Sequence, residues 1–233
     1  MHEQPASRQG GYRHRAPPAR GLSGTGLVAD DLYLLAHEEG SGKAVLQPAA
    51  LGTGLAGALL VELMLVGWIG LRQDGAVMIT TDAPRGAVQQ NAMLKRIADK
   101  PAPQPVRSWL RLLGHSAAQD VALRLEEAGY LERARGRVPW RQGRWVPVNP
   151  DWAFAPVLRA RSALDPSRPL TAHSAALAGL AVACGLGFKL SEHQTPDGRP
   201  VEDAVVQLGP GIQELIAQTN TSVESAVLSY RTW

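Results

Sequence analysis

Residues 49–71 are apolar at almost every position, with Glu62 as the only charge and Thr53 as the only other polar side chain. A stretch of about 20 apolar residues can cross a bilayer. Here, however, Gly52, Gly54, Gly57, Gly67 and Gly70 lower both helix propensity and hydrophobicity. Glu62 would stand near the bilayer centre, where a carboxylate is costly, and no flanking run of Lys or Arg sets an orientation. The pattern predicts instead a core helix over residues 51–66 of a soluble domain, ringed by amphipathic neighbours. Gly54 and Gly57 would let those neighbours approach its backbone closely.

Before this run, residues 27–36 read as the first ordered helix. Asp30 and Asp31 lie near its start, where the helix dipole favours acids, and Leu32, Leu34 and Leu35 form its apolar side. His37-Glu38-Glu39-Gly40-Ser41-Gly42 breaks the chain, and residues 43–46 suggest a short strand. After the run, Asp74-Gly75 between two β-prone stretches, 68–71 and 76–80, predicts a hairpin. Helices are expected over 88–98, with Met93, Leu94 and Ile97 apolar, and over 106–113, with Val106, Trp109, Leu110 and Leu113 on one face. Pro101, Pro103 and Pro105 separate the two.

Residues 116–128 form the most regular amphipathic segment, ending at Gly129 as C-cap. Residues 130–148 then read as a basic, aromatic hairpin: Arg133, Arg135, Arg137, Arg141 and Arg144 alternate with Trp140 and Trp145. Further helices follow over 154–162 and 170–184. Asp165-Pro166 looks like an N-cap and first-turn pair, and Cys184 falls on an apolar face. Residues 189–198 suggest a polar loop, Gly209-Pro210-Gly211 a break, and Val223, Val227 and Tyr230 a last amphipathic turn or two.

Composition refines this picture in two ways. One cysteine in 233 residues rules out an internal disulfide framework and fits a reducing cytoplasm. No apolar signal segment or lipidation motif is expected. Residues 1–26 carry Arg8, Arg13, Arg15 and Arg20 against Glu3, a charge of +3 that equals that of the whole chain. With their Gly and Pro they read as a disordered basic tail ahead of a single domain over 27–233.

Candidate chemistry is sparse. No phosphate-cradling glycine loop, cysteine pair, zinc-binding His spacing or nucleophile elbow occurs. His115, His173 and His193 stand alone, and Asp30 and Asp31 are neighbours that point about 100° apart on a helix. The expectation is a non-catalytic protein without metal or cofactor.

The order of short motifs resembles the GPP34 family from residue 27 to the C-terminus. The motifs are the acidic pair before Leu32-Tyr33-Leu34-Leu35, Gly54-Leu55-Ala56-Gly57 leading to Glu62-Leu63, and Gly67-Trp68-Ile69. Asp82-Ala83-Pro84-Arg85-Gly86, Trp109-Leu110-Arg111-Leu112-Leu113, Glu127-Ala128-Gly129-Tyr130-Leu131 and Asp165-Pro166-Ser167-Arg168 follow. The resemblance implies a mainly α-helical domain around a buried apolar helix, with small β-hairpins. It also implies peripheral membrane binding through a basic pocket for phosphatidylinositol 4-phosphate, and in eukaryotes an adaptor role for Golgi glycosyltransferases.

The family's pocket positions fall here on Gln47, Ala56, His115 and Ala118. Arg107, Arg111 and Arg124 are the nearby cations able to replace them. The hairpin, through Arg133, Arg135, Arg137, Trp140, Arg141, Arg144 and Trp145, suits an anionic membrane surface or phospholipid headgroup at the inner face of the cell membrane. It equally suits a protein partner or a second copy of the chain. Two rivals stand beside this reading, the first on the same stretch. The segment 116–128 with its hairpin reads as a winged-helix module on DNA, although Arg124 alongside Asp120, Glu126 and Glu127 makes a poor surface for a polyanion. A pocket beside the central helix could also serve a small molecule.

Overall fold

The computed structural model describes residues 24–80, 88–134, 144–191 and 197–230. They are mainly α-helical, with ten helices and only small antiparallel sheets. At the centre stands α2 (Pro48–Leu65), preceded by α1 (Val28–Leu35). Because α2 is apolar on every side, only complete enclosure satisfies it. It is ringed by α1, α4 (Val106–Gly114), α5 (Ala117–Glu127), α7 (Ala172–Ala183) and α10 (Pro210–Tyr230). It is the one described helix long and apolar enough to cross a membrane, yet 67% of it is buried inside the fold.

The glycines of α2 explain how so many helices fit around it. A Cβ on Gly52 would lie 2.1 Å from the Gly114 carbonyl oxygen of α4. One on Gly54 would lie 2.3 Å from Cys184 Sγ at the end of α7, and one on Gly57 2.5 Å from Thr219 Oγ1 of α10. Each glycine therefore seats a different neighbour. Past its C-terminus, Gly67 takes φ +74°, its N–H donates to Met64 O, and Trp68 N–H donates to Leu63 O. This left-handed cap turns the chain and tucks Trp68 into the core.

The predicted hairpin follows as β1 (Ile69–Leu71) and β2 (Ala76–Ile79), paired Ile69↔Ile79 and Leu71↔Val77. A third strand, β3 (Gln104–Pro105), joins β2 where the sequence suggests only a proline-rich break; its Pro105 stands at the end of the strand and of the sheet, where a missing N–H is tolerated. Between them lies α3 (Val88–Ala98), with the predicted bounds. After α5, Gly129 (φ +80°) repeats the cap of α2: Gly129 N–H donates to Glu126 O and Tyr130 N–H to Leu125 O. That turn launches β4 (Leu131–Arg133), which pairs with β5 (Trp145–Pro147). The rest is helical: α6 (Pro150–Ser162), α7, α8 (Phe188–Ser191), α9 (Val201–Val206) and α10.

Four local readings change. Residues 43–46 form no strand, only an isolated bridge between His37 and Ala44, because the loop bonds back on the end of α1, Glu38 N–H donating to Lys43 O and Val45 N–H to Ala36 O. Asp165 caps no helix; its carboxylate accepts from Ser167 N–H and hydroxyl in a turn, and α7 starts instead at Thr171, which exchanges hydrogen bonds with Ser174 in a capping box. Within the expected polar loop 189–198, α8 packs Leu190 inward against α6. The last helix spans 21 residues rather than a turn or two, since it covers the whole length of α2.

Cys184 is 3% exposed, and burial pushes its thiol up to about 12. A thiol reagent added to the folded protein is expected to leave Cys184 unmodified until denaturant is added. Rapid labelling under native conditions would contradict this packing.

Candidate functional site

Three features gather polar chemistry. The first lies inside the fold, on α1. Asp30 and Asp31 are each 1% exposed and indeed face different partners. Asp31 takes Arg159 Nε at 2.6 Å and His173 Nε2 at 2.7 Å. Asp30 takes Arg124 Nε at 2.7 Å, and the same guanidinium reaches Glu62 of α2 at 3.2 and 3.3 Å. Glu62 also accepts Ala29 N–H at 2.7 Å. Two buried carboxylates thus share one guanidinium, and Asp30 Oδ2 is buried without a partner. Burial raises both Asp30 and Glu62 above the ordinary carboxylate range, with Arg124 opposing the shift. Glu62, the lone charge of the apolar run, is therefore an anchor that ties α2 to α1 and α5.

The second feature is a cleft of about 570 Å³ at the start of α2, walled by α4 and the C-terminal half of α10. On α4, Val106, Trp109, Leu110 and Leu113 face the core, so the alternate face carries Arg107, Arg111 and then His115, one turn apart. His115 Nδ1–H donates to Arg111 O at 2.7 Å, which fixes the ring and leaves Nε2 outward. Pro48 occupies the first turn of α2, and Gln47 supplies no side-chain cap. The first-turn N–H groups and the positive end of the helix dipole thus open beside Ala49 and Thr53 in the cleft. The α10 wall adds Thr221, Ser225 and Ser229, whose hydroxyls donate to the carbonyls four residues earlier. No carboxylate lines the cleft among the described residues. Such a lining can hold an anion through charge and N–H donors.

The third feature is the base of the hairpin. Arg133 pairs with Trp145 across β4 and β5, and its guanidinium sits 3.9 Å over the Trp145 ring. Trp145 Nε1–H donates to Glu126 at 3.1 Å, and Arg133 Nε lies 3.5 Å from the same carboxylate. On the other side, a Cβ on Gly42 would lie 2.1 Å from Trp145 O, so the loop after α1 presses directly on β5. Arg144 is exposed beside a cavity of about 300 Å³ shared with Tyr33, His37 and Arg133. There His37 stacks on Tyr33 at 4.0 Å, and burial lowers its pKa.

The predicted site residues separate accordingly. Arg107, Arg111 and His115 converge on the cleft. Gln47 is exposed at the mouth of α2 but does not line the cleft, and Ala118 is half-buried on the first turn of α5. Ala56 is wholly buried and offers the cleft no surface. Arg124 does not serve as a free cation, because it is spent on Asp30 and Glu62. As Arg124 is the one basic residue of α5, that helix also presents no positive charge for DNA. Trp145 is a fixing point of the hairpin base rather than a free interfacial aromatic. Arg135, Arg137, Trp140 and Arg141 lie outside the described residues. Sequence reasoning missed the hydroxyl stripe of α10, although its i, i+4, i+8 spacing from Thr221 was there to be read.

A family model described as Golgi phosphoprotein 3 (GPP34) matches residues 28–223, from the first residue of α1 well into α10. No curated protein matches the chain.

Proposed function

Because the chain belongs to the GPP34 family, we propose that it is a non-catalytic peripheral membrane protein that holds an anionic phospholipid headgroup in the cleft at the start of α2. The observation that supports this reading is the convergence of Arg107, Arg111 and His115 on an uncapped helix N-terminus, with no described carboxylate among the lining residues. A phosphate there meets charge-assisted donors from two directions. The GPP34 family is generally non-catalytic. With Gln47 and Ala56 at two family positions, we read the cleft as one for phosphate-bearing headgroups in general rather than a pocket shaped for phosphatidylinositol 4-phosphate alone. A hairpin that is basic in sequence supplies further positive charge for an anionic surface on the inner face of the cell membrane, where an adaptor for a protein partner would work.

Vesicle flotation tests this. The protein is expected to float with phosphatidylcholine vesicles only when phosphatidylglycerol or phosphatidylinositol 4-phosphate is added, and to be released by salt. Arginines near an anionic surface contribute about 1 kcal/mol each. Arg107→Ala with Arg111→Ala should therefore weaken binding by roughly 30-fold. Undiminished flotation of that double variant would refute the reading.

A further inference from the structure

We infer that the cavity between α3 and α5, beside the C-terminal half of α2, is a second binding site that takes an apolar molecule carrying a single positive charge. At about 660 Å³ it is larger than the headgroup cleft and within the range that small ligands occupy. Its walls are Leu59 and Leu63 of α2, Met93 of α3, and Val121 and Leu123 of α5. Deep inside stands Glu62, already bonded to Arg124, with Asp30 behind them.

Charge decides which ligand fits. Four carboxylates line the cavity (Glu62, Asp99, Asp120 and Glu127) against three cations (Lys95, Arg96 and Arg124). Lys95 is paired with Asp99 at 2.8 Å, whereas Asp120 and Glu127 have no ion-pair partner among the described residues. Arg124 must neutralise Glu62 and also Asp30, whose second oxygen has no partner. Asp30 does not itself line the cavity, so within the lining Arg124 balances Glu62, Lys95 balances Asp99, and the excess negative charge is that of Asp120 and Glu127 against Arg96 at the rim. The negative end of the α2 dipole has the same sign, since Glu62 and Leu63 lie in its last turn.

This site stands apart from the headgroup cleft: the two cavities share no described lining residue, and their charges are opposite in sign. Neither depends on the other.

Calorimetric titration of the full chain with octylammonium, octanol and octanoate tests the inference. Octylammonium is expected to bind at least tenfold more tightly than octanoate, with octanol between them. Asp120→Asn with Glu127→Gln should shrink that preference, because it removes rim charge without touching the core. Met93→Trp, and independently Leu59→Trp, should fill the space and abolish binding while cooperative melting persists. Arg107→Ala with Arg111→Ala should leave octylammonium binding unchanged. Octanoate binding as tightly as octylammonium, or unchanged binding in both tryptophan variants, would overturn the proposal.

Discussion

Arg124→Met is expected to lower stability by about 3–5 kcal/mol, because it strips two buried carboxylates of their only guanidinium. For a chain of this size that corresponds to a fall of roughly 10 °C in Tm. The pH dependence has a definite sign. Asp30 and Glu62 are raised in the folded state, so their contribution is fully present below the unfolded carboxyl range, about pH 4, and is lost as pH rises through the folded value. Removing Arg124 raises them further. The gap between variant and wild type should therefore narrow as pH falls from about 7 to about 5. His37 runs the other way: burial lowers its pKa, so its contribution is present above about pH 6.5 and is lost below it. That contribution is common to both proteins and cancels in the difference. Thermal melts at the two pH values measure the gap directly; equal Tm values at neutral pH, or a gap that widens in acid, would contradict the shared-guanidinium arrangement.

Gly52→Ala is expected to lower stability by a smaller amount and, in addition, to impair the cleft. The new Cβ would meet a backbone oxygen of Gly114 at 2.1 Å, and backbone cannot swing aside as a flexible side chain does. Overpacking of this kind costs about 1–3 kcal/mol, occasionally more. The displaced element is α4, which carries Arg107, Arg111 and, at its end, His115, so vesicle binding should fall together with Tm. Gly54→Ala provides the control. Its Cβ meets Cys184 Sγ on the opposite side of α2, so it should lower Tm while the folded fraction keeps its vesicle affinity. Equal loss of binding in both variants would mean that the α2–α4 contact does not set the geometry of the cleft.

These contacts also mark where local sequence stops being informative. The central helix was legible because no amphipathic face interrupts residues 49–65, and a helix with no polar side has nowhere to go but inward. The hairpin turns and the cap at Gly129 were legible for a similar reason: each is settled within a few residues by backbone conformation and i-to-i+4 bonding. Glu62 gave half of its meaning away, since a lone carboxylate in a buried run requires a cation. That the cation is Arg124 could not be read, because Asp30, Glu62 and Arg124 lie far apart in the chain and meet only once α1, α2 and α5 pack. The same limit hid the cleft. Arg107 and Arg111 stood out as cations on one face of α4, but the helix end they point toward and the hydroxyls opposite them come from elsewhere in the sequence. Asp165-Pro166 misled for the converse reason: its local signal is satisfied by a two-residue turn with Ser167, which leaves Thr171 to start the helix.

An amide-resolved NMR titration of the full chain with glycerol phosphate, a water-soluble headgroup, reaches the cleft most directly. Saturable shifts are expected at the amides of Ala49, Ala50 and Thr53 and along α4 from Arg107 to His115, and they should vanish in Arg107→Ala with Arg111→Ala. If those amides stay still, or if the double variant responds as the wild type does, the start of α2 is not where an anionic headgroup is held.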